Sequence, residues 1–258
     1  MKTPAYCLAL CAICTALSVS AADLTRAEVE QRLATADKTH VADLKRKDLT
    51  ELDLSGLDFR NANLWGSDMR RANFSNSNLS GLVLDLAVMS KINLSGADLS
   101  NTSVFGVHVG GANLSHANLT GSRFIATLDR ADLSHANLSN ANWGVDMKNQ
   151  SMGLMRASMN YVNLTGANLT NANLDRALLR FANLSGSVLK NANLFGVDLS
   201  GADFSNADLT NVNLTGTTLE ETNFAGANLT GTHFAGIKDK SKLKGLSESK
   251  HLEAAIFD

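Results

Sequence analysis

Apolar side chains recur at every fifth position along most of this chain. One run goes from Leu44 through Leu49, Leu54 and Phe59 to Phe124. A second goes from Leu154 through Met159, Leu164 and Leu169 to Phe234. The residue two before most centres is small, often Ala, and the residue just before it is usually Asn or Asp. A helix repeats at about 3.6 residues and a strand at about 2, so neither describes this pattern. A fixed period of this kind marks one supersecondary unit, stacked on itself to make a continuous core. The centre and the small residue two before it are predicted to point inward, and the other three positions outward. Gly or Asn often stands two after the centre, as at Gly56, Gly96 and Asn140, where a corner calls for positive φ.

The frame slips between the two runs. Phe124 is followed by Leu128 after four residues, Leu133, Leu138 and Trp143 keep the new frame, and Leu154 then follows Trp143 after eleven. Residues 144–153 lack the motif and are expected to form a bulge or short loop on an otherwise continuous stack. Outside the runs the pattern changes. Thr25 and Glu28 have the spacing of a capping box, with Leu24 and Val29 placed as a hydrophobic staple, so a short amphipathic helix is expected before the repeats. After Phe234, Leu243, Leu246, Leu252, Ile256 and Phe257 are irregularly spaced. One or two short helices, the last near residues 249–256, are expected to close that end, with a dimer contact through Ile256 and Phe257 as the alternative.

The unit A-(D/N)-L-x-x, as in Ala97-Asp98-Leu99-Ser100-Asn101 or Ala172-Asn173-Leu174-Asp175-Arg176, resembles the pentapeptide-repeat family from about residue 42 to 236. The resemblance implies an all-β fold, a right-handed quadrilateral β-helix in which four pentapeptides make one square coil, here with short helical caps at both ends. The expected organisation is a signal peptide at 1–22, a capping helix at 23–40, the β-helix at 41–236 with an irregular segment at 125–153, and a C-terminal cap at 237–258.

Composition narrows the setting. Cys7, Cys11 and Cys14 are the only cysteines, and all lie in the N-terminal segment. There Lys2, the apolar run from Ala5 to Leu17 and the small residues Val19-Ser20-Ala21-Ala22 read as a cleavable export signal. The run is short for a transmembrane span. A mature chain without cysteine needs no disulfide, and export to a bacterial periplasm or beyond is expected. Charged residues make up 19 % of the chain, with no long run of one sign, so no nucleic-acid partner is expected.

No catalytic, cofactor or metal motif is present, and no cofactor is expected. Two surface patterns stand out. Counting the slip, His116 and His135 fall on neighbouring coils, with Arg156 and Arg176 expected to continue the column. Such a basic ladder would bind an anion, against the alternative of a solvated face in which Asp175 offsets Arg176. Two histidines alone make a poor zinc site. Trp65, Phe105 and Ile125 share one outward face, interrupted by Asp85, and Tyr161 and Phe181 share another. Exposed aromatic side chains on a flat wall suit a protein partner. The function expected is therefore a non-enzymatic, exported interaction rod, monomeric or dimeric through its C-terminal end. A DNA-mimic that binds a topoisomerase is the alternative, disfavoured by 17 acidic against 14 basic residues in the repeats. A polysaccharide-active β-helix enzyme is a more remote one.

Overall fold

The computed structural model describes residues 22–146, 155–237 and 240–257. The expected signal segment lies outside these residues except for Ala22, as do 147–153 of the irregular segment and the centre Leu154.

A single repeat shows why the chain coils at this period. In Ile92-Asn93-Leu94-Ser95-Gly96 every backbone N–H has its own acceptor. Ile92 closes a turn on the Met89 carbonyl (3.2 Å), and Asn93 donates to the Ala72 carbonyl of the preceding coil (3.0 Å). Leu94 and Gly96 donate to the Asn113 and Ser115 carbonyls of the next coil (2.7 and 2.9 Å). That leaves Ser95, whose N–H goes to the Asn93 side-chain oxygen at 3.2 Å. Where Asn or Asp precedes the centre, it thus takes the one donor that neither turn nor ladder reaches, and a backbone donor left unpaired would be costly. Its amide then donates to the preceding member of its column: Asn93 Nδ2 to Asn73 Oδ1 (2.8 Å), and Asn73 Nδ2 to Asp53 Oδ1 (2.9 Å).

Repeated, this unit is a β-helix. Parallel bridges join residues twenty apart, such as Asp53 to Asn73, Asn73 to Asn93 and Asn93 to Asn113. Among the described residues only four segments lengthen into strands. β1 (Ala42–Asp43) pairs with β2 (Ala62–Asn63), and β3 (Ser103–His108) pairs with β4 (Arg123–Thr127). The core is a column of buried centres, from Leu44 through Leu94 and Trp143 to Phe234, lined by Ala two positions earlier. Burying one such Leu or Phe contributes roughly 1.5–3 kcal/mol. Where Ser or Thr replaces the inward Ala, its hydroxyl donates to backbone, as Ser77 does to the Phe74 carbonyl at 2.6 Å.

Both ends depart from the repeat. α1 (Arg26–Ala34) starts at the Thr25–Glu28 capping box, buries Val29 completely, and lies beside the first coil. Its Arg26 and Arg32 donate to the Asp53 and Asp43 carbonyls (2.9 and 2.6 Å), and Asp23 N–H reaches the Asp48 carbonyl (2.8 Å). The C-terminal segment holds three 3-10 turns, at Lys240–Lys242, Leu246–Glu248 and Leu252–Ala254, and no α-helix among the described residues. Between the turns, Lys244, Lys250 and Ile256 bridge Asn223, Asn228 and His233, so the segment continues the ladder for another coil. The Phe257 ring stacks on Phe234 at 4.7 Å, which places it against its own chain's last repeat.

The irregular region is larger than a slip. Asn113 bridges Asp132, nineteen residues on, and Asp132 bridges Asn163, thirty-one on. One residue is dropped where Phe105 pairs with Ile125 but His108 with Thr127. The next coil is eleven residues longer than usual, and the base of this excursion is closed by Asp146 N–H on the Met155 carbonyl (2.9 Å). Asp146 is buried and pairs with Arg123 at 3.0 Å.

At most corners the residue two after the centre takes a left-handed backbone, and at several its side chain leans onto the same corner of the next coil. A Cβ added at Gly166 would meet His135 Nδ1 at 2.7 Å, and one at Gly196 would meet Arg176 Cγ at 3.2 Å. At several corners where the next residue is not Gly, the two side chains interact. Asn140, Asn171, Asn191 and Asn211 form an amide ladder (3.2, 3.3 and 3.2 Å), and Asn211 leans onto Gly231.

Two outcomes follow from this geometry. Gly201 (φ +70°) lies under the Phe181 ring, and an added Cβ would sit 2.6 Å from its Cε1, whereas Gly186 (φ +64°) has nothing within 4 Å. In guanidinium unfolding, Gly186→Ala is expected to cost about 1 kcal/mol, from the left-handed backbone alone. Gly201→Ala is expected to cost about 2–4 kcal/mol, since overlap with the ring adds to it. The second outcome concerns α1. Hydrogen bonds from the Thr25 backbone and side chain hold the Glu28 carboxyl below its ordinary value of 4.5. A depressed carboxyl stabilises the folded form above its unfolded pKa, and that support is lost as pH falls through the folded one. Hydrogen exchange at the 26–34 amides should therefore quicken below about pH 4.5 relative to the rest of the rod, and this pH step should be absent in Glu28→Gln.

Candidate interaction surfaces

The corner rule places the candidate side chains. His116 and His135 lie on successive coils, their rings stacked 5.1 Å apart and tilted by 16°. Arg156 and Arg176 do not continue this column. Gly166 follows His135, because the excursion makes that coil thirty-one residues long. Arg156 instead donates to the Arg176 carbonyl (3.4 Å), and Arg176 lies over the Phe195 ring at 5.5 Å with Asp175 at 3.7 Å. The expected four-membered basic ladder is therefore two separate pairs. Among the described residues no three His, Cys, Asp or Glu side chains gather as a metal site.

The expected aromatic wall is also altered. Trp65 is half-buried, with Lys45 and Arg46 each 4.9 Å from its ring. Phe105 is half-buried, with Arg123 at 5.9 Å. Ile125 is 2 % exposed and does not face solvent, contrary to expectation. It lies in β4, beside the Arg123–Asp146 pair that ties down the base of the excursion. Asp85, between Trp65 and Phe105 in this column, accepts the Phe105 N–H (2.9 Å), and burial pushes its carboxyl above the usual range.

Tyr161 and Phe181 come together as counted, at corners with φ of 58° and 55°. Their rings stack at 5.1 Å and 15°, and they remain 53 % and 48 % exposed. The structure adds two members that the motif reading passed over. Arg130 occupies the corner one coil earlier, its guanidinium 5.3 Å from the Tyr161 ring. Arg180 lies just before the Phe181 corner, its N–H on Asn160 Oδ1 (3.1 Å) and its Nε 3.7 Å from Asp198. With Asp129 and Asn160 these side chains line an open groove of about 410 Å³. Asp129 Oδ1 is held by Ser158 Oγ and by the Asn160 N–H (2.7 and 2.9 Å).

A further apolar knob was missed altogether. Val83, Leu86 and Val88 are 54 %, 56 % and 39 % exposed on one coil. The signal was available: Val replaces the usual Asn or Asp before the centres Leu84 and Met89, and Leu replaces Gly or Asn at the corner.

The chain matches the protein-family model for pentapeptide repeats, in 8 copies, over residues 42–66, 67–104, 105–142, 154–176, 172–211 and 207–238. Among solved structures it resembles HetL, a pentapeptide repeat protein involved in heterocyst differentiation regulation in the cyanobacterium Nostoc. Identity there is 29 %, over 90 % of this chain and 94 % of that one, with a TM-score of 0.32. It also resembles QnrB1, a plasmid-mediated fluoroquinolone resistance protein, at 21 % identity over 82 % and 93 % of the two chains (TM-score 0.48). A pentapeptide repeat protein from the thylakoid lumen of Arabidopsis thaliana matches at 22 % identity over 43 % and 67 % (TM-score 0.35). No curated protein is significantly similar in sequence. No helix among the described residues is long and apolar enough to cross a membrane.

If the stacked rings are not needed for folding, their removal should be cheap. Losing an aromatic pair costs about 0.5–1.5 kcal/mol, and Asn tolerates the left-handed corner better than Tyr or Phe. The double variant Tyr161→Asn/Phe181→Asn is expected to stay within about 1.5 kcal/mol of the parent in guanidinium unfolding, with an unchanged circular dichroism spectrum.

Proposed function

This chain belongs to the pentapeptide-repeat family, and on that premise we propose that it is an exported, non-enzymatic interaction module. In this reading residues 1–22 are a signal removed on export. Residues 41–236 form a right-handed quadrilateral rod, closed by the segments 23–40 and 237–258, and the mature protein works in the periplasm or outside the cell. Its partner is a protein, docked at the Tyr161–Phe181 corner.

One observation carries the docking assignment: two large aromatic residues stand half-exposed at left-handed corners. Each non-Gly residue there costs roughly 1–2 kcal/mol, and the stack returns only part of that. Asn or Gly fills the same position elsewhere on the rod, as at Asn171 and Gly186, so the rings serve no turn. Rigid exposed aromatic side chains are what protein interfaces use as anchors. Near-balanced charge along the repeats and the N-terminal export pattern weigh against the DNA-mimic alternative.

A photo-crosslinking amino acid at position 161, introduced into the full-length chain in living cells, tests this. A higher-mass adduct in the periplasmic or extracellular fraction is expected, and the same probe at position 191, on another corner, should give none. A cytoplasmic product, or equal adducts at both positions, would overturn the proposal.

A further inference from the structure

The corner's electrostatics name the kind of partner it fits, if the docking reading above holds. Both faces of the Tyr161 ring are covered, one by the Arg130 guanidinium and one by Phe181. Phe181 in turn leans onto Gly201. The aromatic faces, which carry the negative side of the ring quadrupole, are used up inside the column. What remains exposed is the rim: positive C–H edges, the Tyr161 hydroxyl and the N–H groups of Arg130. Stacking of a sugar on an open ring face is thereby disfavoured.

Arg130 makes no ion pair among the described residues; its contact is the Tyr161 ring. The neighbouring carboxylate, Asp129, is tied to Ser158 and Asn160. Arg180 adds a second guanidinium to the groove, held only at 3.7 Å from Asp198. One coil before Arg130, Gly111 has no side chain. The next cation up that corner, Lys91, lies with its stem against Gly111 and makes no ion pair among the described residues. Lys91 and Arg130 therefore stand two coils apart, about 10 Å, with the aromatic pair directly below.

We infer that this corner binds an acidic polypeptide segment. A carboxylate of the partner would fork onto the Arg130 guanidinium, and an apolar or aromatic side chain beside it would pack on the Tyr161 and Phe181 edges. Arg suits this better than Lys because its planar fork meets a carboxylate at two points while its face stays on the ring.

The test uses the full-length folded protein and synthetic polypeptides, with binding read by biolayer interferometry. A random Glu–Tyr copolymer is expected to bind saturably and more weakly as salt rises. Arg130→Gln and Phe181→Asn should each weaken it at least fivefold. Arg130→Lys should recover part of the loss, and His116→Asn, on another corner, should leave binding unchanged. Equal binding of a Lys–Tyr copolymer or of dextran sulfate, no binding of the Glu–Tyr copolymer, or indifference to Arg130→Gln would overturn the inference. The crosslinking experiment keeps the two proposals apart. An adduct at position 161 that persists in Arg130→Gln cells refutes the acidic assignment and leaves docking standing. Copolymer binding without any adduct in cells refutes docking by a cellular partner instead.

Discussion

Everything in this molecule depends on finding an acceptor for the fifth backbone N–H of each repeat. Three of the five donors reach neighbouring coils and one closes a turn, which leaves the residue after the centre without a backbone partner. The Asn or Asp just before the centre supplies the oxygen. Because that side chain lies on the wall, one repeat after another stacks its amides and carboxylates in register, and the wall becomes a ladder of side chains as well as of backbone. The apolar centre and the small or apolar residue two before it then fill the bore. Local turn chemistry, ladder and core all favour one period, which is the consistency expected of a sequence that specifies one fold.

Much of this was legible in the chain. The five-residue period gave the stacked coil, the Thr25–Glu28 pair gave the start of α1, and counting residues put His116 over His135 and Tyr161 over Phe181. The family was recognisable from the A-(D/N)-L-x-x unit alone. What escaped was the size of the excursion. One residue is lost near Phe105 and eleven are gained after Trp143, a net ten, which is two whole repeats. The apolar centres therefore return in frame, and a count by fives cannot tell ten stacked residues from ten that have left the ladder. That coincidence misplaced Arg156 beside His135. Ile125 pairs with Phe105 as counted, and its burial comes from its place in β4 at the base of the excursion.

The remaining surface features were hidden for a different reason. Reading the motif draws attention to aromatic and basic substitutions, and Val83, Leu86 and Val88 are neither. Arg130 looks like one more tolerated corner cation until its neighbour proves to be Tyr161, thirty-one residues away. Such pairings depend on the path of the chain through the excursion, and no local pattern carries them.

The lean of the corner side chains has a further consequence. At His135, Arg176, Phe181 and Asn211 the side chain bends toward the C-terminal neighbour and rests on it, so space at these corners is granted or refused by the residue one coil further on. At such a corner a change of size bears on the coil that follows. Tolerance at Phe181 is decided at Gly201, while tolerance at Gly201 is decided by what already stands at Phe181. Corners that lean in this way are thus free to vary as ordered pairs, and such a column acquires a bulky residue most easily when a glycine is already waiting below it.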